Sequence, residues 1–187
     1  MTAPSRLFPR QSVPSLEVLT LDGGQWRLSE RQPQNFTLIV VYRGLHCPIC
    51  KGYLRDLERR LPEFGRRGVE AIAISSDEEV RARQAKADWG LSQLTIGYGL
   101  GLDDAREWGL YISAGIGRTS GGADEPSRFV EPGLFLVRPN RTLYFASVQT
   151  MPFARPSVED VLKAIVYILD KNYPARGEIL DLAEAAA

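Results

Sequence analysis

The sequence contains little cysteine and almost no histidine, with two Cys and one His among 187 residues. Two cysteines exclude the framework of several disulfides on which small secreted domains depend. Together with a single histidine they also supply fewer ligands than the four that a structural zinc site normally takes. We therefore expect neither a disulfide-stapled fold nor a metal site, and no sequence feature indicates a bound cofactor.

The sequence also lacks an excess of charge of either sign, because 23 Lys and Arg residues balance 23 Asp and Glu residues. Without a basic field to hold phosphate groups, nucleic acid and anionic membranes are not expected partners. No uncharged apolar run approaches the ~20 residues of a membrane-spanning helix, and residues 1–14 lack the apolar stretch of a secretory signal. These features predict a soluble protein in the reducing cytoplasm.

Apolar strands alternate with amphipathic helices along the chain. The nearly unbroken apolar run Phe36–Tyr42 predicts a central strand buried on both faces, and Val69–Ile74 predicts a second strand. A helix predicted from Pro48 to about Gly65 lies between them, so the two strands should be parallel and joined by a right-handed crossover. The other predicted elements are a hairpin of Leu16–Thr20 and Gln25–Leu28, a helix ending at Trp89, a strand at Leu94–Tyr98, a helix at Asp103–Leu110, a hairpin of Leu134–Val137 and Thr142–Val148, and a helix at Val158–Asp170.

No linker or internal repeat divides the chain, so we expect residues 1–187 to form a single domain. Residues 1–13 contain Pro and Ser and predict a flexible lead, and residues 174–187 predict a short, helix-prone tail. The segment Ile112–Arg128 is rich in glycine and polar residues and predicts a long surface loop.

Both cysteines, Cys47 and Cys50, belong to one C-x-x-C motif directly after the first central strand. Pro48 suits the first position of a helix, where its missing N–H costs nothing, so the thiols should lie at a helix N-terminus. Unpaired amides and the helix dipole favour a thiolate there, and Arg43 and a protonated His46 would add positive charge. We expect Cys47 to be the more exposed and more acidic thiol, and therefore the nucleophile. Cys50, one turn below, is expected to resolve its product to a disulfide.

Three other interpretations of the cysteine pair stay open. A zinc site would have to bind through the two thiols and the adjacent His46, and would need more ligands than these. A stabilising disulfide that closes so short a loop removes little chain entropy. Two inert buried thiols are the strongest of the three alternatives, because free cysteine is often a core residue.

The strand Phe36–Tyr42 and the following segment Arg43–Lys51, which carries both cysteines, resemble the thioredoxin-fold branch of alkyl hydroperoxide reductase/thiol-specific antioxidant (AhpC/TSA), or peroxiredoxin-like, proteins. Residues 16–28 and 71–76 are also similar, and the resemblance extends over about residues 13–167. It implies an α/β thioredoxin-like three-layer sandwich with a mixed central sheet, helices on both faces and an N-terminal β-hairpin. It also implies a thioredoxin or glutathione type reductant and a possible homodimer.

The resemblance also singles out positions around the motif. Pro132, just before an apolar strand, resembles the cis-proline that faces the C-x-x-C helix in thioredoxin-fold oxidoreductases. Typical peroxiredoxins carry Pro seven residues and Thr or Ser three residues before the reactive cysteine, where this sequence has Val40 and Gly44. The arginine that pairs with the thiolate in those enzymes has two candidates here, Arg43 and Arg128.

Three functions follow from these observations. Dithiol redox catalysis, in which Cys47 attacks and Cys50 resolves, takes the form of a thiol:disulfide oxidoreductase or of a thiol-dependent peroxidase. The missing Thr favours a disulfide substrate, whereas the family resemblance favours a hydroperoxide. The alternative from another class is a redox-sensing or binding module in which the disulfide switches a surface, with Ile112–Arg128 as the moving element.

Overall fold

The elements follow the predicted alternation through residues 7–119 and 122–180, which the computed structural model describes. The strands are β1 Glu17–Thr20, β2 Gln25–Arg27, β3 Phe36–Val41, β4 Val69–Ile74, β5 Thr95–Tyr98, β6 Ile112–Ala114, β7 Arg128–Val130, β8 Gly133–Val137 and β9 Leu143–Val148. The helices are α1 Pro48–Gly65, α2 Glu79–Trp89, α3 Leu102–Glu107 and α4 Val158–Lys171, with a 3-10 turn at Leu28–Glu30.

Within the described residues, seven strands form one mixed sheet in the order β2-β1-β5-β4-β3-β8-β9. β3 pairs in parallel with β4 and antiparallel with β8, and β4 pairs in parallel with β5. The β1–β2 hairpin joins the sheet through β5. This topology confirms the predicted thioredoxin-like α/β sandwich with its N-terminal hairpin.

All six residues of the central strand β3 are buried, which accounts for its almost entirely apolar composition. Leu38 and Val40 join the apolar cluster that contains residues of α1, α2 and α4. Ile39 and Val41 point to the opposite face, where the second cluster includes α3 and the hairpin. Successive side chains of a strand point to opposite faces, so a strand covered on both sides needs an unbroken apolar run.

The prediction of a loop over Ile112–Arg128 is wrong at both ends of this segment. Ile112 pairs with Val130 and Ala114 pairs with Arg128, so β6 and β7 form a small antiparallel sheet of their own. Each strand has only three residues, which is too short to show a clear alternation in the sequence. The predicted helix Asp103–Leu110 also ends earlier, at Glu107, because the chain turns at Gly109 with a φ of 71°.

The chain ends pack beside each other where they are described. The Arg10 amide donates to the Leu143 carbonyl at 2.8 Å, and the Arg10 Nε donates to the Ala175 carbonyl at 3.0 Å. The remaining parts of the expected lead and tail, residues 1–6 and 181–187, lie outside the described residues. None of the described helices is both long enough and apolar enough to cross a membrane.

Glu58 fastens the outer side of α1 to the turn before β5. Its carboxylate accepts hydrogen bonds from the amides of Ser92, Gln93 and Leu94 at 2.8–2.9 Å. Burial by itself raises the pKa of Glu58, but these hydrogen bonds outweigh it and bring the pKa below its ordinary value. The carboxylate is therefore a stabilising link between two layers of the fold.

We predict that Glu58→Ala lowers the free energy of unfolding by about 1–2 kcal/mol at pH 7, since three amides lose their acceptor. Because the folded-state pKa is depressed, this stabilisation is complete above the unfolded pKa of about 4.3 and is lost as the pH falls through the folded value. Urea unfolding at pH 7 and below pH 4 should therefore show a difference that shrinks in acid. Glu63→Ala, which removes only a surface contact to Arg60 at 3.7 Å, is the matched control. Equal losses in both variants would contradict this role.

Candidate active site

The two cysteines lie at the first turn of α1, the helix that follows strand β3 in the chain. Cys47 is the N-cap residue and Pro48 occupies the first turn of the helix, as predicted. The Cys50 amide donates a hydrogen bond to the Cys47 Sγ at 3.2 Å. The cysteine sulfur thus takes the place of the oxygen that usually caps a helix N-terminus.

Both thiols are free, and both are buried, with exposed fractions of 1% for Cys47 and 0% for Cys50. Neither thiol is open to solvent, so Cys47 is more exposed than Cys50 by only this small margin. Both side chains belong to the larger apolar cluster, together with Leu54 and Leu57 further along α1. The first turn of α1 faces the sheet, so its two sulfurs face inward.

The predicted order of acidity is reversed. Burial raises the pKa of the Cys50 thiol, but a hydrogen bond from the Cys47 thiol and the charge of Arg155 outweigh it and bring the pKa below its ordinary value. The hydrogen bond with Cys50, followed by burial, raises the pKa of Cys47 above its ordinary value. The two thiols lie in contact and titrate as one unit, and their surroundings favour a negative charge on Cys50 over one on Cys47.

Arg155 is the functional residue that the sequence did not reveal. Its Nη2 donates to the Cys50 Sγ at 3.3 Å, although the two residues are 105 positions apart in the chain. The Pro152 carbonyl accepts a hydrogen bond from the Arg155 Nε at 3.1 Å, and the guanidinium lies 4.5 Å from the centre of the Tyr53 ring. The Tyr53 hydroxyl in turn donates to the Pro156 carbonyl at 2.9 Å. The segment before α4 is thereby held over the first turns of α1.

Neither of the two arginines proposed from the sequence donates a side-chain hydrogen bond to a cysteine sulfur, although the charge of Arg43 does lower the pKa of Cys47. The Arg43 guanidinium is 3.3 Å from a carboxylate oxygen of Glu125 and 3.4 Å from one of Glu131, both nearly buried. Its backbone amide does contribute, because a hydrogen bond from it lowers the pKa of Cys50. Arg128 is exposed on β7, and the structure gives it no contact with either cysteine.

His46 is buried rather than solvent-facing, with an exposed fraction of 1%. Its ring packs against Phe129 with 4.6 Å between the ring centres. Burial, and next the charge of Arg43, lower the pKa of His46 to about 4. The imidazole is therefore neutral at physiological pH, and the prediction that a protonated His46 stabilises the thiolate is wrong.

The position three residues before Cys47 has no space for the hydroxyl residue of typical peroxiredoxins. Gly44 has a φ of +125°, and a Cβ added there would lie 2.5 Å from an oxygen of Asp77. The Asp77 carboxylate occupies this place because it accepts from the Leu45 amide at 2.7 Å and from the Arg81 Nε at 3.0 Å. Glycine at residue 44 is thus required by a buried carboxylate that anchors the loop.

Pro132 is not a cis-proline, since the peptide bond that precedes it is trans. Its carbonyl accepts a hydrogen bond from the Gln149 amide at 3.0 Å, at the end of the β8–β9 pairing. This carbonyl is therefore committed to the sheet edge instead of being free to pair with an incoming peptide. No three His, Cys, Asp or Glu side chains among the described residues lie close enough together to hold a metal ion.

Comparison with known proteins agrees with this architecture. The AhpC/TSA family model matches residues 9–146, which include both cysteines. No curated protein matches the chain significantly.

Solved structures with the same fold are distant in sequence. A cysteine-to-serine mutant of peroxiredoxin 6 of Arenicola marina superposes with a TM-score of 0.70 and 16% identity, covering 89% of this chain and 76% of that one. Reduced 2-Cys peroxiredoxin of Plasmodium vivax gives 0.70 and 15%, with 89% and 84% covered. AhpC of Mycobacterium bovis gives 0.70 and 16%, with 91% and 96% covered. Since the family match spans most of its length, the chain belongs to the AhpC/TSA family and is a thiol-dependent oxidoreductase.

Proposed function

We propose that the protein is a thiol-dependent peroxidase in which Cys47 is oxidised by a hydroperoxide and Cys50 converts the product to a disulfide. The observation that carries this proposal is the hydrogen-bonded pair of sulfurs at the N-terminus of α1. Membership of the AhpC/TSA family supports the same chemistry. The family's hydroxyl residue is absent, so the amides and Arg155 have to provide the polarity of the site.

In the oxidation step, the Cys50 thiolate accepts the proton that Cys47 holds. The resulting Cys47 thiolate faces the Cys50 amide, whose hydrogen bond disperses its charge. It attacks the terminal oxygen of the hydroperoxide, the O–O bond breaks, and the alkoxide or hydroxide leaves and takes up a proton. Cys47 becomes a sulfenic acid, so that sulfur loses the two electrons that the peroxide gains.

In the resolving step, Cys50 releases its proton again and attacks the Cys47 sulfur. The charge of Arg155 favours the Cys50 thiolate by lowering its pKa, and the position of Cys50 within the same helical turn brings the sulfurs together. Hydroxide leaves the sulfenic acid and takes up a proton to form water, which leaves the Cys47–Cys50 disulfide. Two electrons from a thioredoxin or glutathione type thiol then restore the dithiol.

A thiol:disulfide oxidoreductase is the second candidate. The observation that favours it is Gly44, because no side-chain hydroxyl at that position is available to hold a peroxide. Burial of both sulfurs argues against it, since a protein disulfide needs an exposed thiol for exchange whereas a hydroperoxide is small. The two candidates therefore differ in the size of the substrate that the site admits.

We predict that hydrogen peroxide and an organic hydroperoxide oxidise the reduced protein faster than they oxidise free cysteine, with one disulfide formed per chain. Stopped-flow measurement of peroxide consumption checks the rate. Cys47→Ser should lower it at least about 100-fold by removing the nucleophile. Cys50→Ser should stop at a sulfenic acid on residue 47, which dimedone traps and mass spectrometry identifies.

The second candidate has its own assay, the reduction of insulin disulfides by the dithiol form. Peroxide rates no higher than those of free cysteine, together with Cys47-dependent insulin reduction, would replace the peroxidase with the oxidoreductase. The double variant with both cysteines changed to serine provides the background for both assays.

We predict further that thiolate absorbance at 240 nm in the reduced protein rises at a lower pH than in free cysteine and reports Cys50, whose pKa is lowered. Arg155→Met should move the midpoint of this rise upward by about 1 unit or more, because it removes the cation next to the sulfur. Arg59→Met, on the exposed side of α1, is the control and should leave the midpoint unchanged. A wild-type midpoint above 8, or an unchanged one in Arg155→Met, would contradict the assignment.

A further inference from the structure

A groove of about 480 Å³ lies beside the active site, between the start of α1 and the outer side of α2. The residues on both sides of Cys47 in the chain, His46 and Pro48, line it together with Lys51 of α1 and Asp88 of α2. Its volume is within the usual range for sites that hold a small organic molecule. The reactive cysteine is therefore flanked by a site that the oxidation mechanism above does not use.

Three polar side chains that line this groove, those of His46, Lys51 and Asp88, lack charged partners among the residues that the structure describes. Both imidazole nitrogens of His46 are buried and make no hydrogen bond to a described atom. Neither Lys51 nor Asp88 forms an ion pair with a described residue, and they do not pair with each other. Asp88 accepts only a long hydrogen bond from the neutral Gln84 amide at 3.5 Å. The nearby Arg81, in contrast, is occupied by Asp77.

An unpaired buried imidazole costs free energy unless a bound molecule satisfies it. The charges of Lys51 and Asp88 indicate which kind of molecule matches the groove. One cation and one anion without charged partners, on opposite walls of the described groove, match a ligand that carries a carboxylate and an ammonium group. The side chains of Leu45, Pro48 and Trp89 add an apolar wall for its carbon skeleton.

We propose that the groove binds the reductant of the disulfide, a small amino-acid-like thiol whose carboxylate pairs with Lys51 and whose ammonium pairs with Asp88. The proposal rests on the formation of the Cys47–Cys50 disulfide in the proposed function. It assigns the partner as a low-molecular-weight thiol instead of a redox protein. His46, which precedes Cys47 in the chain, is the unpaired polar residue of the groove wall that is closest in sequence to the disulfide.

The reduction balances with two molecules of this thiol. The first, as its thiolate, attacks the Cys47 sulfur, the bond between Cys47 and Cys50 breaks, and Cys50 leaves as a thiolate. A second thiolate attacks the sulfur of the bound thiol, which releases the symmetrical disulfide and Cys47. Protons from the two thiols end on the two cysteines. Attack at Cys47 is favoured because the thiol with the lower pKa leaves faster, and that thiol is Cys50.

The test uses the full chain, oxidised with diamide so that the measurement does not depend on peroxide activity. Reduction of the disulfide is followed with four thiols: cysteine with both charges, 3-mercaptopropionate with only the carboxylate, cysteamine with only the ammonium, and 2-mercaptoethanol with neither. Each rate constant is divided by the fraction of that thiol that is present as thiolate at the pH of the assay, and the resulting values are compared. We expect cysteine to react about 5-fold faster than 2-mercaptoethanol, as two weak surface ion pairs would provide.

Variants separate the two charges. Lys51→Met should slow cysteine and 3-mercaptopropionate about 3-fold and leave cysteamine and 2-mercaptoethanol unchanged, and Asp88→Asn should slow cysteine and cysteamine alone. Lys86→Met, on α2 but outside the groove wall, is the control and should change none of the rates.

Equal rates per thiolate for the four thiols, or a Lys51→Met effect of the same size on all of them, would overturn the proposal. Failure of diamide to produce an intramolecular disulfide would overturn the proposal and the resolving role of Cys50 together. A disulfide that forms with diamide but not with peroxide would instead remove only the peroxidase, and the thiol preference would still decide the groove.

Discussion

The chemistry depends on two hydrogen bonds at the start of α1. The Cys50 amide donates to the Cys47 sulfur, and the Cys47 thiol donates to the Cys50 sulfur. Both contacts exist because the C-x-x-C spacing places the cysteines within one helical turn. Because of these contacts, the two thiols share one proton and titrate as a unit. Arg155 adds to the preference for a charge on Cys50, since its guanidinium donates to that sulfur.

The structure also explains how the site departs from the pattern of typical peroxiredoxins. Asp77 fills the space beside residue 44, which requires glycine there and excludes a hydroxyl-bearing side chain. Two carboxylates engage the Arg43 side chain, so its guanidinium makes ion pairs instead of a hydrogen bond to either sulfur. The loop before the motif thus gives rigidity and backbone amides to the site, while a distant segment supplies its cation.

The sequence predicted those parts of the fold that depend on local pattern. The run of β3 and the periodicity of α1 indicated their positions to within a residue, and Pro48 marked the start of the helix correctly. The placement of Cys47 and Cys50 at a helix N-terminus followed from these elements. Periodicity and capping are local properties, so a single sequence reveals them.

The features that the sequence did not predict depend on residues far apart in the chain. The partnership of Arg155 with Cys50 spans 105 positions and has no local signature. Burial of His46 results from packing on Phe129, and that packing changes its expected charge. The predicted order of the two thiol pKa values is reversed for the same reason. Position at the helix N-terminus favours a thiolate at Cys47, but tertiary contacts favour a thiolate at Cys50.

In the reduced protein, contacts with Cys47 and Arg155 favour ionisation of Cys50 over ionisation of Cys47. The Cβ chemical shifts of ¹³C-labelled cysteine, followed against pH by NMR, test this preference most directly because each residue gives a separate signal. The Cys50 resonance should titrate at a lower pH than that of free cysteine, and the Cys47 resonance at a higher pH than that of Cys50. Titration of Cys47 first, with Cys50 remaining protonated, would contradict it.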